Sequence, residues 1–313
     1  MFGTWLALHR RGILGINARN RDYIMPRNPR RHYPLVDNKL STKHLAIEAG
    51  IAVPTLYGVI ESEYDLRRLD ALLASHPGFV IKPSRGAGGA GVLVIDSCRK
   101  ALFVKADGRV LSHHEVAYHT ANILSGIYSL GGVPDQAMIE YRVRPNPIFD
   151  AVSYLGVPDI RLLVYRGMPV LAMVRLPTRQ SDGKANLHQG AVGVGVKIAT
   201  GRTTTGVWQN RAVSEHPDFG LPLAGLEIPN WPQLLELGAR CFELTGLGFL
   251  GVDIVLDQTL GPLLLELNAR PGLGIQIANR TGLRGRLAAI DALGALPETP
   301  SARVALTCAL FPD

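Results

Sequence analysis

Polar and apolar positions alternate through GVDIVLD, Gly251 to Asp257, break at the turn-forming DQTLG, and resume as an apolar run that ends in Glu266, Asn268 and Arg270. A period of two interrupted by turn residues predicts a β-hairpin. With Gln258–Gly261 as the loop, Asp257 pairs with Pro262, and counting back along both arms sets Asp253 opposite Glu266. Upstream, VDNKLSTKHLAIEAGIAVP predicts a helix capped near Asp37 or Asn38 and closed by Gly50, with a strand from Ile51. A second helix follows Ser62, with Leu66, Leu69, Leu72 and Leu73 on its inner side. FVIKPSRGAGGAGVLVID then reads as strand, glycine-rich loop and strand. A hairpin around Asp107 and Gly108, a helix from about His113 to Ser125 and the strand AMIEYRV follow. DIRLLVYRGMPVLAMVRLP predicts two strands joined at Arg166–Pro169, and PQLLELGARCFELTG a helix. Arg280–Gly294 reads as a final helix and Pro297–Asp313 as a tail without a clear pattern.

Opposed carboxylates on a hairpin have Cβ atoms roughly 5 Å apart and repel unless a cation lies between them. Asn268, two residues past Glu266, shares its face and adds a neutral oxygen. Three hard oxygen donors on one face suit Mg²⁺ completed by substrate phosphates; the bland alternative is a solvated acidic face. In the glycine-rich stretch, Lys82 ends a strand, and Gly86, Gly88, Gly89 and Gly91 allow backbone amides to turn toward a phosphate chain. The loop lacks a Walker ending and leads into a strand, so it reads as a flap between strands, either phosphate-binding or a flexible hairpin. Arg161 and Arg175 stand among apolar neighbours, where arginines need anionic partners. His113, His114 and His119 lack acidic or cysteine partners at metal-ligand spacing.

Length and composition bound this picture. The chain has 313 residues, 47% of them hydrophobic and 19% charged, enough for two or three subdomains of a globular protein. No apolar run approaches the roughly 20 residues of a membrane span, and MFGTWLALHRR reads poorly as a secretory signal. Three scattered cysteines fit a reducing cytoplasm. The net charge of +7 favours anionic partners, and seven arginines fall between Arg10 and Arg31. That segment reads either as an arm for nucleic acid, an acidic tail or a nucleotide, or as a solvated extension.

The stretches VDNKLSTKHLAIEAGIAVP, FVIKPSRGAGGAGVLVI, IEYRV, DIRLLVYRGMPVLAMVRLP, ANLHQGA, GVDIVL and LELNARPG, taken in this order, resemble the ATP-grasp superfamily and its RimK-related alpha-L-glutamate ligase-like branch. They run from about Leu35 to Gly282. The resemblance implies an α+β fold with ATP held between two α+β subdomains: a basic segment at 1–34, an ATP-grasp domain at 35–285 with a lid at roughly 60–140, and a C-terminal helix and tail at 286–313. Lys39 and Lys82 would contact the α and β phosphates, and the flap from Ser84 through Gly86, Gly88 and Gly89 to Gly91 would close over them. Glu140, Tyr141, Arg142 and Val143 would form the adenine hinge, and Asn186 of ANLHQGA would join the nucleotide contacts. Asp253, Glu266 and Asn268 would hold one or two Mg²⁺ ions, or Mn²⁺, and Arg161, Arg175 and Arg270 would face the γ-phosphate and an acyl phosphate formed from it. Asp150 is the candidate ribose acid, and His188 a candidate general base. The implied activity is ADP-forming carboxylate–amine ligation in the cytoplasm, on free or peptide-borne substrates, with neither membrane nor nucleic acid as the expected partner and with monomer or homo-oligomer left open. The alternatives are a small-molecule kinase and a nucleotide-sensing protein with a nucleic-acid-binding arm. Two departures from the family pattern bear on the acceptor: a reduced pre-domain before Leu35, and Gln189 where ribosomal-protein glutamate ligases have a basic residue.

Overall fold

The computed structural model describes residues 8, 10–86, 88–99, 102–129 and 131–312. Most of the MFGTWLALHRR stretch therefore lies outside the described residues. The chain forms two units, one of residues 38–44 and 53–143, the other of residues 1–37, 45–52 and 144–313. The first contains the stretch at roughly 60–140 for which the sequence implied a lid, and also residues 38–44 and 53–59.

The smaller unit is built on six antiparallel strands: β1 (Leu56–Ile60), β2 (Phe79–Pro83), β3 (Leu93–Arg99), β4 (Leu102–Lys105), β5 (Val110–Leu111) and β6 (Ala137–Tyr141), in the order β1-β6-β2-β3-β4-β5. Phe79, Ile81, Ile95 and Ile139 turn into a core with Leu69, Leu73, Val116 and Ile123 from the covering helices. Alternation then sends Lys82 and Glu140 to the opposite face. Helix His113–Leu124 starts on a capping box in which Ser112 and Glu115 each satisfy the other's backbone amide. The predicted second helix begins as a tighter turn over Glu63–Arg68 and becomes α-helical only at Leu69–Ala74.

The larger unit carries seven antiparallel strands: β7 (Asp159–Tyr165), β8 (Met168–Leu176), β9 (Val192–Val196), β10 (Thr203–Trp208), β11 (Arg211–Val213), β12 (Phe249–Asp257) and β13 (Gly261–Asn268), in the order β11-β10-β9-β8-β7-β12-β13. Arg166 and Gly167 join β7 to β8 with φ of 52° and 79°, the left-handed pair of a type I′ hairpin. Helix Trp231–Thr245 covers one face, where a Cβ on Gly238 would lie 2.5 Å from Leu162 Cδ1. On the other face Leu163, Tyr165 and Phe249 pack with Leu14, Ile24, Ile275, Leu283 and Leu287. This second face is apolar at one end of the strands and, two to six residues along, carries Arg161, Asp159 and Asp253.

Three sequence expectations need correction here. The arginine-rich segment is not simply a solvated extension. Arg19 is buried and donates to Pro271 O at 2.5 Å, and Asn28 is buried with its amide bonded to Phe249 N, Phe249 O and Ala269 O at 2.8, 2.8 and 2.9 Å. Asn28→Ala should therefore cost roughly 2–4 kcal/mol in denaturant unfolding, because each orphaned buried group costs about 1–3 kcal/mol. The helix expected over Arg280–Gly294 is present as Leu283–Asp291, and a short helix the sequence reading did not expect, Gly274–Asn279, precedes it, the two separated where Arg280 takes a left-handed φ of 51°. The tail contains a third helix, Pro300–Leu310, whose buried Arg303 pairs with Glu243 of helix Trp231–Thr245.

Candidate functional site

Each unit presents one cluster of functional side chains. In the smaller unit, Lys82 on β2 stands directly opposite Met138 and diagonal to Glu140 on β6, within reach of a long side chain. Its Nζ lies 2.5 Å from Glu140 Oε1, while Lys43 Nζ lies 2.8 Å from Oε2. All three side chains are under 10% exposed, so two ammonium groups share one carboxylate out of water. Burial alone would raise the Glu140 carboxyl, but Lys82 and Lys43 hold it below the usual glutamate range. Burial lowers Lys43, against the pull of Glu140. Lys43 comes from the first turns of helix Lys39–Glu48 and also donates to Pro54 O. Lys39, for which the resemblance implies a phosphate contact, reaches the flap, donating from Nζ to Gly86 O and from its backbone N to Ser84 O.

The flap is anchored at its root by Asp135, which sequence reasoning missed. Ser84 Oγ donates to it at 2.5 Å and Arg85 N at 3.0 Å, so the Ser84 side chain is a structural pin in this arrangement. Burial opposes ionisation of Asp135, but bonds from Ser129, Ser84, Gln136 and Arg85 hold its carboxyl down. Gly88, Gly89 and Gly91 take φ of 63°, 78° and 73°, and a Cβ on Gly91 would lie 2.6 Å from Tyr128 Cγ. A side chain there would force the loop off this path. Of the hinge residues, Tyr141 N donates to Thr55 O, Arg142 pairs with Asp96 and Val143 is buried. His113 bonds Asp70, and His119 bonds Gly91 O at 3.0 Å.

In the larger unit the strand pairing builds the second cluster. Asp253 on β12 is opposite Arg161 on β7 and opposite Glu266 on β13, and Asp159 on β7 is opposite Arg175 on β8. The hairpin register differs from expectation near the turn, where Asp257 pairs with Gly261 and Leu256 with Pro262. A bulge at Leu265 absorbs the offset and restores the Asp253–Glu266 opposition. Arg161 grips Asp253 in fork geometry, Nε to Oδ1 at 2.6 Å and Nη2 to Oδ2 at 2.5 Å. Arg175 Nη2 lies 3.0 Å from the same Oδ2 and makes its own bidentate pair with Asp159. Asn268 Nδ2 is 3.3 Å from Asp253 Oδ2. Burial would raise Asp253, but Arg161 and Arg175 pull it down to about 2. Burial and the neighbouring Asp253 push Asp159 up to about 6, against Arg175. Asp159 carries no signal in the sequence beyond the first letter of DIRLL.

The remaining candidates fall elsewhere. Arg270 lies past the end of β13, exposed, with its guanidinium 5.3 Å from the ring centre of Tyr33, so the arginines joined to Asp253 are Arg161 and Arg175. Asn186 caps the turn Leu187–Gln189 by accepting from His188 N at 3.0 Å, and His188 is exposed on that turn. Asp150 is exposed in the turn Pro147–Val152.

A model described as sugar-transfer associated ATP-grasp covers residues 18–292. The chain belongs to that family. Its fold is the α+β ATP-grasp fold, and the family match starts inside the arginine-rich segment rather than at Leu35. A probable alpha-L-glutamate ligase of Aeromonas salmonicida (strain A449) is 24% identical over 254 residues, 80% of this chain and 62% of that protein. Another, from Maridesulfovibrio salexigens, is 30% identical over 137 residues, 44% of this chain and 34% of that protein. The matched stretch thus spans less than two thirds of these relatives' length. Among solved structures, ATP-grasp ligase PsnB complexed with a phosphomimetic variant of minimal precursor, Mg and ADP is 17% identical, with a TM-score of 0.45 over 90% of this chain and 62% of that one. D-alanine–D-alanine ligase from Bacillus anthracis complexed with ATP is 12% identical, with a TM-score of 0.44 over 90% and 67%.

Proposed function

We propose that the chain is an ATP- and Mg²⁺-dependent carboxylate–amine ligase that forms an amide through an acyl phosphate and releases ADP, with an amino acid such as glutamate among the substrates. The observation that carries this reading is the buried excess of positive charge where Lys43 of helix Lys39–Glu48 and Lys82, on the strand that leads into the glycine flap, share Glu140 of β6. Two ammonium groups and one carboxylate out of water favour an anionic ligand. Lys39, Lys43, Lys82 and the flap amides would take the phosphates, and the backbone of Tyr141 to Val143 the adenine.

Asp253, Glu266 and Asn268 fit a hard cation. The two carboxylates are directly opposed, and a half-turn of the Asn268 amide presents its oxygen. When bound, Mg²⁺ would offset negative charge on the β and γ phosphoryl oxygens. Arg161 and Arg175 now bind Asp253 and Asp159, and the same guanidinium groups can donate to phosphoryl oxygens as charge accumulates there. The reaction needs no protein nucleophile. A substrate carboxylate oxygen attacks the γ-phosphorus and ADP departs; the amine then attacks the acyl carbon, orthophosphate departs, and the amine proton passes to a base, with His188 the candidate.

Hydroxylamine in place of the amine tests the intermediate, because an acyl phosphate gives a hydroxamate and a phosphorylated hydroxyl does not. ATP-dependent hydroxamate supports the ligase; ADP formation with a stable phosphorylated product and no hydroxamate makes the chain a kinase. Lys43→Met keeps the side-chain stem and leaves Glu140 paired with Lys82. It should weaken ATP binding by roughly tenfold or more, the loss of one charge-assisted contact, and cost at least about 1–3 kcal/mol of stability because Glu140 Oε2 and Pro54 O lose their donor; titration calorimetry and urea unfolding measure both.

A further inference from the structure

The arginine-rich segment has an outer surface that the proposed ligase does not use. Its residues 16–27 form one continuous helical run whose middle part, Arg19–Ile24, is wound as a π-helix. The buried side of the run carries Arg19 and Ile24. Ile16, Arg21 and Met25 are exposed along the run, five and four residues apart. Ile16 is 62% exposed and Met25 72%.

The preceding turn is seated on the helices after the hairpin. Gly12 O accepts from Arg284 N at 3.0 Å, Ile13 O from Arg284 Nε at 3.3 Å, and Leu14 N and O bond the Gln276 side chain at 2.8 and 3.0 Å. Leu8, 46% exposed, accepts at its carbonyl from Ile13 N at 3.0 Å at the start of this turn, and Ile277, 53% exposed, follows Gln276 in sequence; Arg10, Arg11 and Arg280 are exposed as well. Residues 8–33 contain seven arginines against one acid, Asp22; Arg19 is buried and Arg27 pairs with Asp291, which leaves Arg10, Arg11, Arg21, Arg30 and Arg31 as the exposed ones outside that pair. Asp22 is itself held by Arg21 and lies within the field of Arg284. The surface is therefore cationic with aliphatic side chains standing among the charges.

We propose that this face binds an anionic lipid surface. Arginines near such a surface gain from its negative potential, and exposed aliphatic side chains gain by entering the boundary between headgroups and acyl chains. Nucleic acid would use the arginines but offers nothing to Ile16, Met25, Leu8 and Ile277, which decides between the two. No helix among the described residues is long and apolar enough to cross a membrane, and the proposed contact is peripheral. It replaces the expectation of no membrane partner.

Co-sedimentation of the full chain with phosphatidylserine-containing vesicles, with phosphatidylcholine vesicles alone, and gel shift with duplex DNA test the proposal. Binding is expected only with the anionic vesicles, weakening as salt is raised. Arg10→Ser combined with Arg11→Ser should reduce it roughly 30-fold, since each arginine near an anionic surface contributes about 1 kcal/mol. Ile16→Ser combined with Met25→Ser should reduce it at least about tenfold at constant charge, through lost apolar burial. Circular dichroism melts of both variants should match the parent, because the four side chains are exposed. Failure to sediment with anionic vesicles, equal sedimentation with neutral ones, or binding that ignores the Ile16 and Met25 changes and is outcompeted by DNA would overturn the proposal in favour of a polyanion site or none.

Discussion

Glu266→Gln is expected to abolish ADP release, a fall of at least about 10²–10³-fold, the range for losing one preorganised electrostatic partner, with the fold intact. Glu266 is half-buried at the end of β13 opposite Asp253, and glutamine keeps its shape while removing the charge. What is lost is the second carboxylate of the opposed pair, and with it much of the attraction for a divalent cation. Two readouts separate this from misfolding: the thermal midpoint should stay near that of the parent, and raised Mg²⁺ or Mn²⁺ should restore part of the rate. Full turnover in the variant would remove Glu266 from the metal assignment.

The second large effect is on stability. Glu140→Gln leaves the ammonium groups of Lys43 and Lys82 buried beside a neutral amide, and breaking a buried ion pair from one side costs roughly 3–5 kcal/mol. Because the folded-state carboxyl lies below its ordinary value of 4.5, its contribution is present above that pH and is lost as pH falls through the lower folded value. The gap between parent and variant, measured by urea unfolding, should therefore be largest at neutral pH and close on acidification. A gap that stays constant down to strong acid would mean that Glu140 acts through packing rather than charge.

These two residues also mark what the sequence could and could not convey. The opposition of Asp253 and Glu266 was legible because alternation on a short hairpin leaves few registers, although the bulge at Leu265, which has no composition signal, moved the pairing near the turn by one. Lys82 and the flap were legible from glycine spacing after a strand. Lys43 was not: a lysine four residues from another on a helix has no local mark of the carboxylate it meets nearly a hundred residues later. Asp135 and Asp159 were missed for the same reason, since each is defined by partners that only strand pairing and loop closure supply. Arg270, past the end of β13, lies against Tyr33, a partner that its adjacency to Asn268 along the chain does not convey.

The arginine-rich segment shows how composition misleads when the partners are backbone groups. Arg19 and Asn28 find carbonyls and an amide more than 200 residues away, so polar residues that would be solvated in an isolated stretch become part of the support for β12 and the end of β13. The C-terminal helix is similar: its pattern is weak alone, and Arg303 is satisfied by Glu243, Gly167 O and Glu298 O rather than by its own helix. The ends of the chain thus brace the sheet that carries Asp253.

The central claim is amide ligation, and the most direct measurement is ADP release with ATP and Mg²⁺ across a panel of carboxylates, amino acids and peptides, followed by mass analysis of the product. The account predicts sustained ADP release only when a carboxylate and an amine are both present, and a product whose mass is their sum less one water. Sustained release without an amine, yielding a phosphorylated product, would contradict it.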